Sequence, residues 1–210
     1  MVLVELNDVV KKFGHKTVID QLSLQIEAGK IYAITGPSGC GKSTLLNMIG
    51  GIEKVTSGKV VIFGNQNPSP HSSKVRKIMR NQISFLFQNY ALSDNDTVQY
   101  NLEMALVYNQ EVSNKKQAIA EVLERVGLKG YEKQKVHTLS GGEQQRVAMA
   151  RLLLKPTEIV LADEPTGNLD IENRNTIFEL LLELNREGKT VILVTHDPEL
   201  SEQCDIVIRL

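Results

Sequence analysis

The sequence predicts an α/β fold: a mainly parallel sheet around a phosphate-binding loop, an N-terminal antiparallel β part, and an inserted helical subdomain over residues 89–138. Three observations carry this expectation. The run Ile31-Tyr32-Ala33-Ile34 leads into Gly36-Pro37-Ser38-Gly39-Cys40-Gly41-Lys42-Ser43-Thr44, which fills every fixed position of G-x-x-x-x-G-K-[ST]. Residues 31–34, 159–162 and 191–194 are unbroken apolar runs, as parallel strands are when helices cover both faces. Each run gives way to polar chemistry at its C-terminal end, at Thr35, Asp163-Glu164 and Thr195-His196, and open parallel sheets bind ligands beyond those ends.

Taken in order, Val2 to Lys12 and Val18 to Ile26 alternate loosely between apolar and polar residues, which suits two half-exposed antiparallel strands. After the phosphate loop, Leu45-Leu46-Asn47-Met48-Ile49 opens an apolar helix that Gly50-Gly51 stops. Ser57-Gly58 introduces a strand over Lys59 to Phe63, closed by Gly64, and the polar stretch from Asn65 to Ser73 reads as a connection. Lys74 to Arg80 is basic and reads as a solvated helix face. A strand over Ile83 to Phe87 ends at Gln88. From there to residue 138 the character is helical, with Ile119, Val122, Leu123 and Val126 on an i, i+3, i+4, i+7 stripe. The α/β core resumes with a helix from Ser140, a strand over Glu158 to Ala162, a helix that buries Ile177, Leu180, Leu181 and Leu184, and the strand Val191 to Val194. A short helix and Ile206-Val207-Ile208 complete the order.

A triphosphate is densely negative, so its site needs converging backbone N–H groups, which Gly36, Gly39 and Gly41 permit. Lys42 is expected to reach the β- and γ-phosphates and Ser43 to bind Mg²⁺, with Ser38, Cys40 and Thr44 completing the loop and the following helix pointing its positive end at the anion. Asp163, at the mouth of a buried strand, is expected to hold Mg²⁺ directly or through water, and Glu164 to orient or deprotonate the attacking water. Alone, such a pair is more often a polar strand end. His196 follows the next strand, where it can hydrogen-bond the γ-phosphate or the water, although an isolated histidine is usually structural. Gln88 can complete the metal shell and is otherwise an ordinary turn residue. Leu139-Ser140-Gly141-Gly142-Glu143-Gln144-Gln145-Arg146 reads first as a capping box, Ser140 with Glu143, opening a helix. Capping does not call for two glycines, each costing up to about 1 kcal/mol against alanine. Bare backbone at a helix N-terminus suits the close approach of another phosphate.

The balance of 24 basic and 25 acidic residues gives a formal net charge of −1, which makes no general case for a nucleic-acid partner. Two cysteines far apart, Cys40 and Cys204, predict a reduced, cytoplasmic protein without a zinc site. Met1 to Leu6 lacks the basic-then-apolar order of a signal peptide, and no run of about eighteen apolar residues occurs.

Together, the phosphate loop, Gln88, Leu139 to Gln144, Asp163-Glu164, Asn168-Leu169-Asp170 and His196 stand in the order and approximate spacing of an ATP-binding cassette (ABC) nucleotide-binding domain, which essentially the whole chain resembles. The resemblance implies the ABC ATPase fold in one domain: a RecA-like core and β part from residues 1–88 and 139–210, with 89–138 as the helical subdomain that docks on an integral-membrane permease. It implies ATP and Mg²⁺ as cofactors. Phe13 would stack on adenine, where tyrosine is commoner in the family, and Asp170 would belong to the loop that links two active sites. It implies a homodimer as well. Two cassettes close head to tail, each ATP lying between the phosphate loop of one and Ser140-Gly141-Gly142 of the other, and hydrolysis reopens them. The cytoplasmic ATPase, peripheral on the membrane, would thereby drive its permease. Ala162 to Asp170 and Phe87 to Leu92 are similar to stand-alone cassettes of macrolide, lipoprotein-releasing and lactococcin-type bacteriocin systems, which implies export of a peptide, bacteriocin, drug or lipoprotein. Transmembrane signalling, as in the cell-division member of this subgroup, is an alternative use of the same ATPase. A soluble cassette acting on ribosomes or DNA would bring tandem cassettes, a long coiled coil or zinc modules, and the sequence has none of these.

Overall fold

The structure, a computed structural model, describes residues 1–210 apart from Tyr108, Gln110, Glu111 and Asn168. Its strands are β1 (Val2–Phe13), β2 (Lys16–Glu27), β3 (Ile31–Thr35), β4 (Ser57–Ile62), β5 (Asn65–Gln66), β6 (Ile83–Leu86), β7 (Ile159–Asp163), β8 (Thr190–Val194) and β9 (Ile206–Arg209). They form an antiparallel sheet of order β2-β1-β4-β5 and a second sheet of order β6-β7-β8-β3-β9. Every pairing in the second sheet is parallel. The helices are α1 (Lys42–Ile49), α2 (Ser73–Asn81), α3 (Val98–Leu106), α4 (Lys115–Arg125), α5 (Gly141–Leu153), α6 (Ile171–Arg186) and α7 (Pro198–Ser201).

Because side chains alternate along a strand, a parallel strand covered on both sides must be apolar at every position. Along β7 and β8, Val160, Ala162, Val191 and Leu193 face a core built with α3, α4, α5 and α6. Their neighbours Ile159, Leu161, Ile192 and Val194 face the opposite core, filled by α1 and by Leu3, Val4, Leu6 and Val9 of β1. The parallel sheet is therefore the middle layer. Ile34 of β3 and Asp163 of β7 are both in register with Val194 of β8, so the three strands end level.

Local chemistry moves several predicted boundaries. β4 stops at Ile62, not Phe63, because Phe63 and Gly64 both adopt positive φ, 46° and 73°. Two such residues make the hairpin turn whose twist matches paired strands, and Ile62 then pairs with Asn65. The stretch predicted as a plain connection thus begins with the two-residue β5. β6 ends at Leu86, with Phe87 beyond it stacked on Phe85 at 5.1 Å. The loose alternation of β1 and β2 reflects repeated register shifts between strands of twelve residues each. Among the described residues between 89 and 138 the helices are α3, α4 and a 3-10 turn, Val136–Thr138; Val98, Leu102, Ile119 and Leu123 join them to the core of α5.

Close approach of α1 to the sheet positions the phosphate loop. The helix ends at Gly50, where a Cβ would lie 2.2 Å from Phe85 Cζ and 2.7 Å from Leu161 Cδ1. Gly50→Ala is expected to cost about 1–3 kcal/mol by overpacking, read as a lower urea midpoint; an unchanged midpoint would show that the aromatic pair yields freely.

Candidate functional site

The loop from Gly36 to Gly41 joins β3 to α1. Gly36, Gly39 and Gly41 have φ of 144°, 77° and 110°, a region that side chains oppose. A Cβ at Gly36 would lie 2.7 Å from the Leu210 carbonyl oxygen and one at Gly41 2.7 Å from Val18 Cγ1, whereas Gly39 has nothing within 4 Å. The outer two glycines are thus hemmed in and the middle one faces a cleft of about 420 Å³. Ser38, Lys42, Ser43 and Thr44 line that cleft with Phe13 and Glu164. Lys42 is only 8% exposed, and its ammonium donates to the carbonyls of Gly36 and Pro37, both at 3.0 Å. Phe13 is half exposed at the rim, with Lys11 Nζ 4.5 Å from its ring centroid. Cys40 does not line the cleft; its sulfur lies 2.9 Å from where a Gly36 Cβ would stand.

From the first turn of α1, Ser43 Oγ donates to Asp163 Oδ1 at the end of β7 at 2.9 Å, past the end of β8, which lies between β3 and β7. Burial pushes the Asp163 carboxyl above its ordinary range; the bond from Ser43 opposes this, the neighbouring Glu164 charge adds to it, and Lys42 opposes it. Glu164 holds φ of 44° without being glycine, a strain of about 1–3 kcal/mol that its surroundings must offset. Its N–H donates to Val194 O at 3.2 Å, and Gly167 N–H donates to its carbonyl at 3.2 Å. The exposed His196 sets Nδ1 3.5 Å from Glu164 Oε2. Two contacts brace the segment that carries it: buried Thr195 accepts the Asp197 N–H at 3.0 Å, and Arg174 reaches Asp197 at 2.7 Å and Glu199 at 2.9 Å. Gln88, past the end of β6, shares a hollow of about 530 Å³ with Asp163.

Ser140, Gly141, Gly142 and Asp170 are not brought to this cleft within the chain: neither hollow includes them. Ser140 and Glu143 form the full capping box of α5. At Gly142 a Cβ would lie 2.6 Å from Asn173 Cγ. Its bare backbone has a reason inside the chain, the close passage of α6, and only Ser140 and Gly141 of the three are exposed. Asp170 caps α6, accepting from Asn173 N at 2.8 Å and Asn173 Nδ2 at 2.7 Å, bonds that hold its carboxyl below the ordinary range. Asn168, in the same predicted motif, lies outside the described residues.

Sequence reasoning missed the residues that hold these loops. Gln145 is fully buried and donates to Pro165 O at 2.7 Å, one residue beyond Glu164. Arg146 donates to Asn173 Oδ1, and Arg151 donates to Tyr90 O at 2.8 Å and to Ala91 O. Tyr90 and Ala91, just after Gln88, both have positive φ, so their turn depends on that guanidinium. One signal was legible: Gln145 lies on a helical stripe with Met149 and Leu152, an amide where an apolar residue belongs.

Chemically, the arrangement offers a curled backbone loop, a sheltered ammonium at a helix N-terminus, and hydroxyl, carboxylate and amide oxygens on Ser43, Asp163 and Gln88. The first two suit a polyphosphate, and an oxygen-only donor set suits a hard divalent cation. Comparison with known proteins agrees. The protein-family profile described as ABC transporter matches residues 19–167. The lipoprotein-releasing system ATP-binding protein LolD 1 of Rhodopseudomonas palustris is 40% identical over 92% of this chain and 87% of its own. The macrolide export ATP-binding/permease protein MacB of Pasteurella multocida is 37% identical over 99% of this chain, which spans only 33% of MacB. Among solved structures, the ATP-binding cassette MJ0796, a dimer in a post-hydrolysis state bound to ADP and Pi, superposes with a TM-score of 0.89 at 36% identity, covering 99% of this chain and 94% of that one.

The two cysteines should differ in reactivity. Burial, with the nearby Asp205 charge, pushes the Cys204 thiol up to about 12, and its sulfur donates to Leu200 O at 3.3 Å. At neutral pH a thiolate-directed alkylating agent is expected to modify Cys40 well before Cys204, as read by peptide mass spectrometry; equal rates would contradict the placement of Cys204.

Proposed function

The chain belongs to the ABC transporter family, and from that premise we propose that it is the ATP-hydrolysing subunit of an exporter, acting as a head-to-tail pair on a separate membrane permease. The observation that carries the reading is the level rim of β3, β7 and β8: the phosphate loop and Glu164 line one cleft, Asp163 is bonded to Ser43 of its lining, and His196 stands beside Glu164. Lys42 and the loop N–H groups take the β- and γ-phosphates of ATP, and Phe13 at the rim takes the adenine face. Ser43, Asp163 and Gln88 hold Mg²⁺, which when bound neutralises charge developing on the phosphates. Mg²⁺ keeps waters and takes few protein ligands, so three oxygen donors are enough.

Glu164 receives a proton from, or orients, the water that attacks the γ-phosphorus, and His196 fixes that carboxylate and the departing phosphate from the far side. Ser140 and Gly141 complete the site of a second copy, where the exposed start of α5 offers N–H groups to the γ-phosphate. Binding then needs one chain and turnover two. The dimeric state described for MJ0796 supports this reading.

Residues 89–138 are the part proposed to meet the permease. Met104 and Tyr100 on α3 and Val107 just beyond it are 57%, 47% and 54% exposed, large apolar side chains that a free surface rarely displays together. Met104 opens onto a cleft of about 390 Å³ floored by Phe85, Phe87 and Leu152. No helix among the described residues is long and apolar enough to cross a membrane. The names of LolD and MacB support export of a lipoprotein- or macrolide-type cargo.

Glu164→Gln is expected to keep ATP binding, to lower kcat by about 10²–10⁴-fold, and to accumulate an ATP-bound dimer by size-exclusion chromatography. A monomer that turns over at the parent rate would remove Glu164 from its role. Alkylation at Cys40 should abolish nucleotide binding with ATP protecting, since added bulk beside Gly36 cannot be housed in the loop.

A further inference from the structure

Helix α2 concentrates basic charge on one short segment. Its nine residues carry Lys74, Arg76, Lys77 and Arg80, no acidic residue, and only Val75 and Ile78 buried. Some cations elsewhere on the surface are matched: Arg186 of α6 pairs with Glu179, and Arg125 of α4 with Glu183 and Glu187. Lys74, Arg76 and Lys77 form no ion pair among the described residues. Since the whole chain has a formal charge of −1, this helix is a basic island on an otherwise acidic molecule.

The spacing turns the island into a seat. Ser73, Arg76, Lys77 and Arg80 stand at i, i+3, i+4 and i+7, one stripe of a helix, and together with Met79 they line a shallow hollow of about 560 Å³. Met79 and Arg80 also line the neighbouring apolar cleft that Met104 opens onto, so the two surfaces are continuous. A hydroxyl and three cations on one stripe, with an apolar edge, match a small discrete anion attached to something greasy. An extended nucleic-acid backbone would need contacts well beyond one helix, across the acidic remainder of the chain.

We propose that this stripe seats anionic phospholipid headgroups of the membrane beside the permease. The inference rests on the reading that the cleft at Met104 is the permease seat, which brings α2 to the membrane side. Surface charges near an anionic leaflet are attracted within a Debye length, so the seat acts only at contact and weakens with salt. It would orient the cassette before and between permease contacts without bearing on the chemistry at Glu164.

The test is co-sedimentation of the full chain with phosphatidylcholine vesicles, with and without phosphatidylglycerol, over a salt series. Binding is expected only with phosphatidylglycerol, to fall as salt rises, and to drop about thirtyfold in Arg76→Gln/Lys77→Gln, which is what two such charges supply near an anionic surface. Both residues are exposed, so the variant should fold, and circular dichroism checks it. Met104→Ser should bind vesicles like the parent. No preference for phosphatidylglycerol, or equal binding by the double variant, overturns the lipid seat and leaves the permease reading standing. Loss in Met104→Ser with full binding by the double variant overturns both, because lipid would then occupy the cleft reserved for protein.

Discussion

The hydrogen bond from Ser43 to Asp163 is the constraint on which the site depends, because it ties the start of α1, which the glycine loop joins to β3, to the end of β7, a strand that β3 does not touch. β8 lies between β3 and β7, so the bond forms only if all three strands end at the same height. Apolar patterning cannot set that height. With both faces buried, a slip of one residue exchanges one apolar position for another. The ends of the runs set it instead: a slip would draw Asp163 or His196 into the sheet, and a carboxylate that burial has already pushed above its ordinary range would lose what solvation it keeps. Polar strand ends are thus both the chemistry of the rim and the reason that the rim is level.

The antiparallel sheet serves the same loop from the other side. Val18 and Ile19 of β2 lie where a Cβ on Gly41 would collide, at 2.7 and 3.0 Å, so the loop is pressed against β2 as it enters α1. The same sheet carries Phe13 to the rim, backed by Lys11, whose ammonium also holds Glu53 at 2.7 Å beyond the far end of α1. Moving β1 or β2 therefore moves Phe13 and the glycine loop together.

What could be read from the sequence was whatever depends on neighbours in sequence: the glycine loop, the unbroken apolar strands, the capping box at Ser140, the stripe on α6. What could not be read depends on approach in space. Nothing local announces that Gly142 is bare because Asn173 passes over it, or that the turn after Gln88 leans on Arg151. Phe63 and Glu164 adopt positive φ although neither residue type favours it. At Phe63 the strand pairing of Ile62 with Asn65 outweighs the local cost; at Glu164 the bonds to Val194 and Gly167 do.

Those spatial contacts have a direction. In the proposed pair of chains, Ser140 and Gly141 serve one nucleotide and Glu164 of the same chain serves the other, yet a single turn of α5 separates Gly141 from Gln145. A helix turn is stiff along its axis, so a shift at its exposed end carries Gln145 with it. Gln145 holds Pro165 O at 2.7 Å with its amide nitrogen, while its Oε1 has no partner among the described residues. Pulling away would leave a second buried group unmet, at about 1–3 kcal/mol, so Pro165 tends to follow, and Glu164 stands next to it in a strained conformation that small displacements can tip. Arg146, Asn173 and Asp170 make a parallel strut from the same turn to the start of α6. Whatever grips the front of α5 in one site of that proposed pair therefore acts on Glu164 in the other through one buried amide.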